Sequence, residues 1–102
     1  MRARNTNARG GPFTPEQIVA VWNEARVIPG QTPSVVRADA CGARIAFNDY
    51  GKTTSTQGWE IDHIRPAAKG GGDESDNLQP LQWENNRHKG DEWPSWSCLK
   101  KS

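Results

Sequence analysis

The segment WEIDHI, which starts at Trp59, begins as a β-strand and then loses the alternation that a half-buried strand requires. In its regular part Trp59 and Ile61 would face a core, while Glu60 and Asp62 would face water. His63 then lies where an apolar side chain is due. A β-bulge produces such a change of phase and redirects side chains. We therefore predict a bulge at Asp62–His63 that brings both side chains to one site.

A second strand and a short helix are expected after the Gly-rich loop that follows this strand. Leu78 and Leu81 predict a return strand, and Pro80 restricts it to the edge or the end of a sheet. The sequence QWENNRHK predicts a helix of about two turns that stops at Gly90. Because a helix this short is not stable alone, it should pack on the two strands. The sequence thus predicts a ββα unit over about 58–91.

The first part of the chain is predicted to be a flexible basic arm. Residues 1–12 are polar and contain Arg2, Arg4 and Arg9 but no acidic residue. We expect a mobile segment, and its sequence fits either a solvated tail or an arm that follows a phosphate backbone. The remaining residues, 13–102, are expected to form one domain, because a chain of this length supports a single modest core.

A helix and a short strand are predicted between the arm and the ββα unit. Thr14 is suited to the N-cap position and Gln17 to the third helical position, which together form a capping box. Residues 43–47 alternate as a short strand and are followed by a turn at 48–51. This order of helices and strands predicts an α+β fold.

The composition indicates a domain whose core depends on aromatic rings. Only 33% of the residues are hydrophobic, yet five are Trp. Trp93 and Trp96 are therefore expected to fold back onto the core. No apolar run is long enough to span a membrane, and the basic start has no apolar segment typical of a signal peptide.

The two cysteines, Cys41 and Cys98, are far apart and form no CxxC pair, which excludes a zinc site with four cysteines. In the absence of a secretion signal, the residues favour two buried thiols. A disulfide between them stays open as the alternative.

Charge and residue type place the candidate chemistry in the ββα unit. Residues 58–91 contain four basic and seven acidic side chains, a net charge of −3. Asp62 and Asn86 offer oxygen ligands of the kind that Mg²⁺ prefers, with positions left for water and phosphate. His63 is suited to a general base, since imidazole titrates near neutral pH. Asn77 can bond backbone groups of the loop and hold its shape.

The sequence WEIDHIRPAAKGGGDESDNLQPLQWENNRHKGD resembles the motif of the HNH endonucleases, the ββα-metal nucleases. The resemblance covers Gly58–Asp91, with a looser likeness to small bacterial and phage members from about Asp39 to Cys98. It implies a small ββα-metal core with an N-terminal helix and a short preceding strand. The last motif position is Asn86 rather than a histidine, so the chain is similar to the H-N-N variants.

The resemblance implies a role for each motif residue. His63 would activate water, Asp62 and Asn86 would hold one divalent metal ion, and Asn77 would organise the catalytic loop. Because the ligands are oxygens, Mg²⁺ is the expected ion, with Mn²⁺ as a substitute and Zn²⁺ or Ni²⁺ disfavoured. The basic side chains that flank the site are expected to contact phosphates rather than to read bases, and these are Arg65, Lys69, Arg87, His88 and Lys89.

The sequence therefore predicts a metal-dependent endonuclease that hydrolyses DNA, and the resemblance implies that it leaves 5′-phosphate and 3′-hydroxyl ends. A catalytically weak DNA-binding accessory module is the alternative from another class, and the nuclease domain of a toxin with an immunity protein is a third. The expected partner is DNA, with no membrane, and monomer and homodimer stay open. The resemblance to bacterial and phage members implies a cytoplasmic location.

Overall fold

The computed structural model describes residues 4–102, so Arg2 of the predicted arm lies outside the described residues. Two helices and two small antiparallel sheets confirm the predicted α+β class. The regular elements, in chain order, are α1 Pro15–Trp22, β1 Val36–Ala38, β2 Arg44–Ala46, β3 Trp59–His63, β4 Leu78–Gln82 and α2 Trp83–Lys89. No helix in this part of the chain is long and apolar enough to cross a membrane.

Helix α1 begins at the predicted capping box. The Thr14 hydroxyl accepts a hydrogen bond from the Gln17 amide at 3.1 Å, and the Gln17 side chain accepts one from the Thr14 amide at 2.9 Å. Two orphan donors at the start of the helix are thereby satisfied. The helix buries Val21 and Trp22 against the core. It is a supporting element for the strands that carry the site.

The first sheet is larger than predicted. Strand β2 lies within the strand expected at 43–47, but it pairs with β1, which the sequence did not predict. The chain then turns into a 3₁₀ segment at Phe47–Asp49, which ends β2 one residue early. Strand β1 is only three residues long, too short for its alternation to stand out in the sequence.

The second sheet is a regular hairpin, and the predicted bulge at Asp62–His63 is wrong. Each residue of β3 has one partner on β4, from Trp59 opposite Gln82 to His63 opposite Leu78. The phase slip in the sequence therefore comes from a histidine placed on the apolar face of the strand. Its ring lies 6.0 Å from the ring of Phe13.

Strand β3 is buried on both faces, so the expectation that Glu60 and Asp62 face water is also wrong. Their side chains are only 4% and 6% exposed, because α2 covers this face of the hairpin. Buried carboxylates need partners. Helix α2 supplies them through Asn86, Arg87 and Lys89.

Aromatic rings fill much of the core, as the composition indicates. Trp59 is fully buried, and its ring lies 5.3 Å from that of Trp22 and 4.9 Å from that of Tyr50. Trp93, by contrast, is 38% exposed and stacks on the guanidinium of Arg65 at 5.0 Å. The expected return of Trp93 to the core is therefore wrong.

Cys41 and Cys98 form a disulfide, so the favoured interpretation of two buried thiols is wrong. The bond joins the turn between β1 and β2 to the tail after α2. Buried Asn85 holds the same tail, since its carbonyl oxygen accepts from the amides of Leu99 and Lys100 at 2.9 and 2.7 Å. The tail is thus fixed beside the helix that carries Asn86.

Candidate functional site

Asp62, His63 and Asn86 line one cavity of about 440 Å³. Asp62 and His63 come from the end of β3, and Asn86 comes from the middle of α2. The two strand residues reach the same cavity without a bulge. The structure thus brings together the three residues to which the sequence assigned the central chemistry.

Asp62 is a buried carboxylate with two protein partners. The Gln79 amide donates to it at 3.0 Å, and the Lys89 ammonium lies 3.2 Å from the same oxygen. Burial raises the pKa of the Asp62 carboxyl above its ordinary value, while Gln79 and Lys89 act in the opposite direction. A carboxylate has about four lone-pair positions, so these bonds leave capacity for a further ligand.

Lys89 lies inside the domain rather than on its surface. Its side chain has no exposed area, and its ammonium donates to the His63 carbonyl at 3.1 Å as well as to Asp62. A buried cation with two such acceptors does not fit the phosphate contact predicted for Lys89. The structure instead makes Lys89 the counter-charge of Asp62.

Glu60 orients Asn86. The Asn86 side-chain nitrogen donates to Glu60 at 2.9 Å, and both residues are buried. Since an amide has its donor on nitrogen and its acceptor on oxygen, this bond fixes which atom points away from Glu60. The Asn86 carbonyl oxygen is thereby left for a ligand. Sequence reasoning missed Glu60 because it assigned that side chain to solvent.

Asp73 contacts the ring of His63. The Asp73 oxygen lies 2.7 Å from Nε2 of His63. Because an ionised carboxylate can only accept, Nε2 of His63 is the donor in this contact. Asp73 was not among the predicted site residues. The acid in the Gly-rich loop, ten residues after the histidine, was the available signal.

Asn77 ties the loop between β3 and β4 together. Its carbonyl oxygen accepts from the Arg65 amide at 2.8 Å, and its nitrogen donates to the carbonyls of Arg65 and Gly72 at 3.1 and 2.8 Å. A Cβ on Gly71 would overlap the Arg65 carbonyl oxygen and press on the Asn77 amide. The glycine is therefore required for the close approach that Asn77 organises.

The other predicted phosphate contacts lie at the surface and not in the cavity wall. Arg65 and Lys69 are exposed in the loop, where Nε of Arg65 donates to the Lys69 carbonyl at 2.7 Å. Arg87 is partly held by Glu60 at 3.4 Å, and its guanidinium lies over the ring of Trp83 at 5.6 Å. His88 is exposed and contacts Ser97.

The donor set suits a hard divalent cation. Within residues 4–102, no three His, Cys, Asp or Glu side chains form a metal-binding group. The predicted ligands include only one such residue, Asp62, together with the amide oxygen of Asn86. One carboxylate, one amide and several waters are a combination that Mg²⁺ accepts.

Comparison with known proteins identifies one family. The family model described as HNH endonuclease matches residues 40–92, just over half of the chain. No curated protein and no solved structure matches the chain. The matched range contains Asp62, His63 and Asn86, and the match indicates nuclease activity in general.

Proposed function

The chain belongs to the HNH endonuclease family, and from this premise we propose that it is a metal-dependent endonuclease that hydrolyses phosphodiester bonds of DNA. The observation that carries the proposal is the shared cavity of Asp62, His63 and Asn86. HNH nucleases act on DNA and generally use a divalent metal ion. The oxygen ligands of this site favour Mg²⁺, with Mn²⁺ as a substitute.

We assign the metal to Asp62 and Asn86. Burial and the Glu60 hydrogen bond hold these ligands before any ion binds, which reduces the ordering that binding would require. Held by Asp62 and Asn86, a divalent ion would supply positive charge that stabilises the negative charge developing at the cleaved phosphate. Lys89 balances the charge of Asp62 and holds its orientation.

His63 is the proposed general base. Its ring accepts a proton from the attacking water, while Nε2 donates to Asp73. Asp73 then stabilises the imidazolium that forms. Asn77 holds the loop between His63 and Asp73 in shape and acts as a positioning residue.

The exposed basic side chains serve to place the DNA. Arg65, Lys69, Arg87 and His88 are proposed to contact phosphates on either side of the cleaved bond, without selecting its sequence. One site cuts one strand, so one copy of the chain is expected to nick a duplex. A double-strand break requires two sites.

Incubation with supercoiled plasmid tests this function. We expect nicking with Mg²⁺ or Mn²⁺, little with Zn²⁺ or Ni²⁺, and none in EDTA, because amide and carboxylate oxygens favour the harder ions. Nicked and linear products are measured on gels at equal free metal concentrations. Zn²⁺ as the best activator would overturn the assignment of Asn86 and would favour His88 as a metal ligand instead. DNA binding without cleavage under every metal would instead support an accessory module.

A further inference from the structure

Residues 4–8 form part of the wall of the cavity. Arg4, Asn5, Thr6 and Ala8 line it together with Asp62, His63 and Asn86. These residues belong to the segment that the sequence predicts to be a basic arm. The described part of that segment therefore lies at the site, whereas the predicted mobility of residues 1–12 stays a prediction.

Asn5 anchors this segment to the open edge of β3. Its side-chain oxygen accepts from the Ile61 amide at 2.8 Å and from the Tyr50 hydroxyl at 3.0 Å. Asn5 also has a positive φ of 57°, which asparagine adopts more readily than most residues. The bond to Ile61 supplies the partner that a third strand would otherwise provide.

A second anchor lies at Ala8. Its backbone amide donates to the two oxygens of Asp73 at 3.0 and 3.2 Å, so Asp73 joins this segment to His63. Asn7 closes a turn beside it, since its side-chain oxygen accepts from the amides of Arg9 and Gly11 at 2.9 and 3.0 Å. The two anchors hold the segment at two residues that line the cavity.

Arg4 is a permanent positive charge at this cavity. Of the described residues that line it, Arg4 is the only Lys or Arg, while Asp62 and Asp91 are its acids. The buried Lys89 ammonium already balances the negative charge of Asp62. Among residues 4–102, no hydrogen bond or ion pair ties the exposed Arg4 side chain to another group. Its guanidinium is thus available to an anion that enters the cavity.

We propose that Arg4 binds a DNA phosphate at the catalytic cavity, and that Asn5 and Ala8 hold it there. This inference rests on the proposed function, because the ligand is the DNA that the site would cleave. A planar guanidinium suits the fork geometry of phosphate oxygens. Residues 4–8 are then a structural part of the site, with the charge of Arg4 held in a fixed place.

The test compares Arg4→Gln with Arg9→Gln, which removes the same charge from a residue outside the cavity lining. Binding of a fluorescein-labelled duplex of mixed sequence is followed by anisotropy in EDTA, where no metal-dependent cleavage occurs. Arg4→Gln should weaken binding about 3- to 10-fold and reduce the slope of log K against log salt by about 0.9, the value of one phosphate contact. Arg9→Gln should change the slope by less than half as much.

Asn5→Gly tests the anchor without removing a charge. Glycine tolerates the positive φ, so the change deletes only the side-chain bonds to Ile61 and Tyr50. It should lower affinity for the duplex at least 2-fold with an intact circular dichroism spectrum. Equal effects of Arg4→Gln and Arg9→Gln, or no effect of Arg4→Gln, would overturn the inference while leaving nicking by the parent intact. A parent that neither binds nor cuts DNA would overturn the proposed function as well.

Discussion

His63→Ala is expected to lower the turnover number for DNA cleavage by roughly 10²–10⁴-fold, the usual worth of general-base catalysis. The affinities for DNA and metal should stay close to those of the parent, because the imidazole ring lowers the activation barrier and does not bind the metal ion. Initial rates of plasmid nicking at saturating Mg²⁺ measure the effect. Duplex binding in EDTA and metal binding by calorimetry provide the controls.

The role of the ring can be separated from its packing. His63 is only 4% exposed and lies beside Phe13, so its removal leaves a space next to the cavity. Added imidazole should enter that space and restore part of the rate. A His63→Ala protein that folds normally and cleaves DNA at more than about a tenth of the parent rate would remove His63 from the mechanism.

Asp62→Ala is expected to abolish metal binding and to destabilise the domain by about 3–5 kcal/mol, the usual result of breaking a buried ion pair. The destabilisation arises because Lys89 has no exposed area and would lose its carboxylate partner. Urea unfolding measures the free energy, and calorimetry measures the metal. Asp62→Asn, which keeps an acceptor for Lys89 and Gln79, should lose less stability.

The double variant Asp62→Ala/Lys89→Met separates the two effects. Methionine fills similar space without a charge, so the double variant should recover most of the lost free energy of unfolding. Metal binding should stay absent, since the ligand is still missing. Recovery of both stability and metal binding would mean that Asp62 is a structural partner of Lys89 and not a ligand.

The sequence predicted those helices and strands whose boundaries depend on side chains close together in the chain. The Thr14–Gln17 capping box starts α1, and the short helix α2 ends before Gly90, both as expected. Apolar Trp59 and Ile61 face the core. These features depend on side chains close in sequence, so a single segment contains the information that specifies them.

The burial of Glu60 and Asp62 could not be predicted in that way. Alternation distinguishes two faces of a strand, but it does not reveal that a helix covers the polar one. The bonds from Asn86 to Glu60 and from Lys89 to Asp62 join residues 26 and 27 positions apart. A buried charged residue whose partner lies this far away in the sequence shows the same local sequence pattern as a charged residue exposed to solvent.

The phase slip at His63 illustrates the same limit. It drew attention to the candidate site, but the physical cause assigned to it, a bulge, was wrong because the register with β4 is continuous. The pairing of Cys41 with Cys98 likewise depends on how the tail after α2 folds back. The position of Arg4 at the cavity depends on contacts of Asn5 and Ala8 that no local motif encodes.

The most direct test of the central assignment is the rate of plasmid nicking against Mg²⁺ concentration for the parent, His63→Ala and Asn86→Ala. Loss of a metal ligand first lowers the fraction of protein that holds the metal ion, and a higher Mg²⁺ concentration can restore that fraction. Loss of the general base raises the activation barrier, which added Mg²⁺ does not lower. The curve of Asn86→Ala should shift to higher Mg²⁺ and recover much of the parent rate, while His63→Ala should level off at a low rate. Rescue of His63→Ala by Mg²⁺, with none for Asn86→Ala, would contradict the roles assigned to both residues.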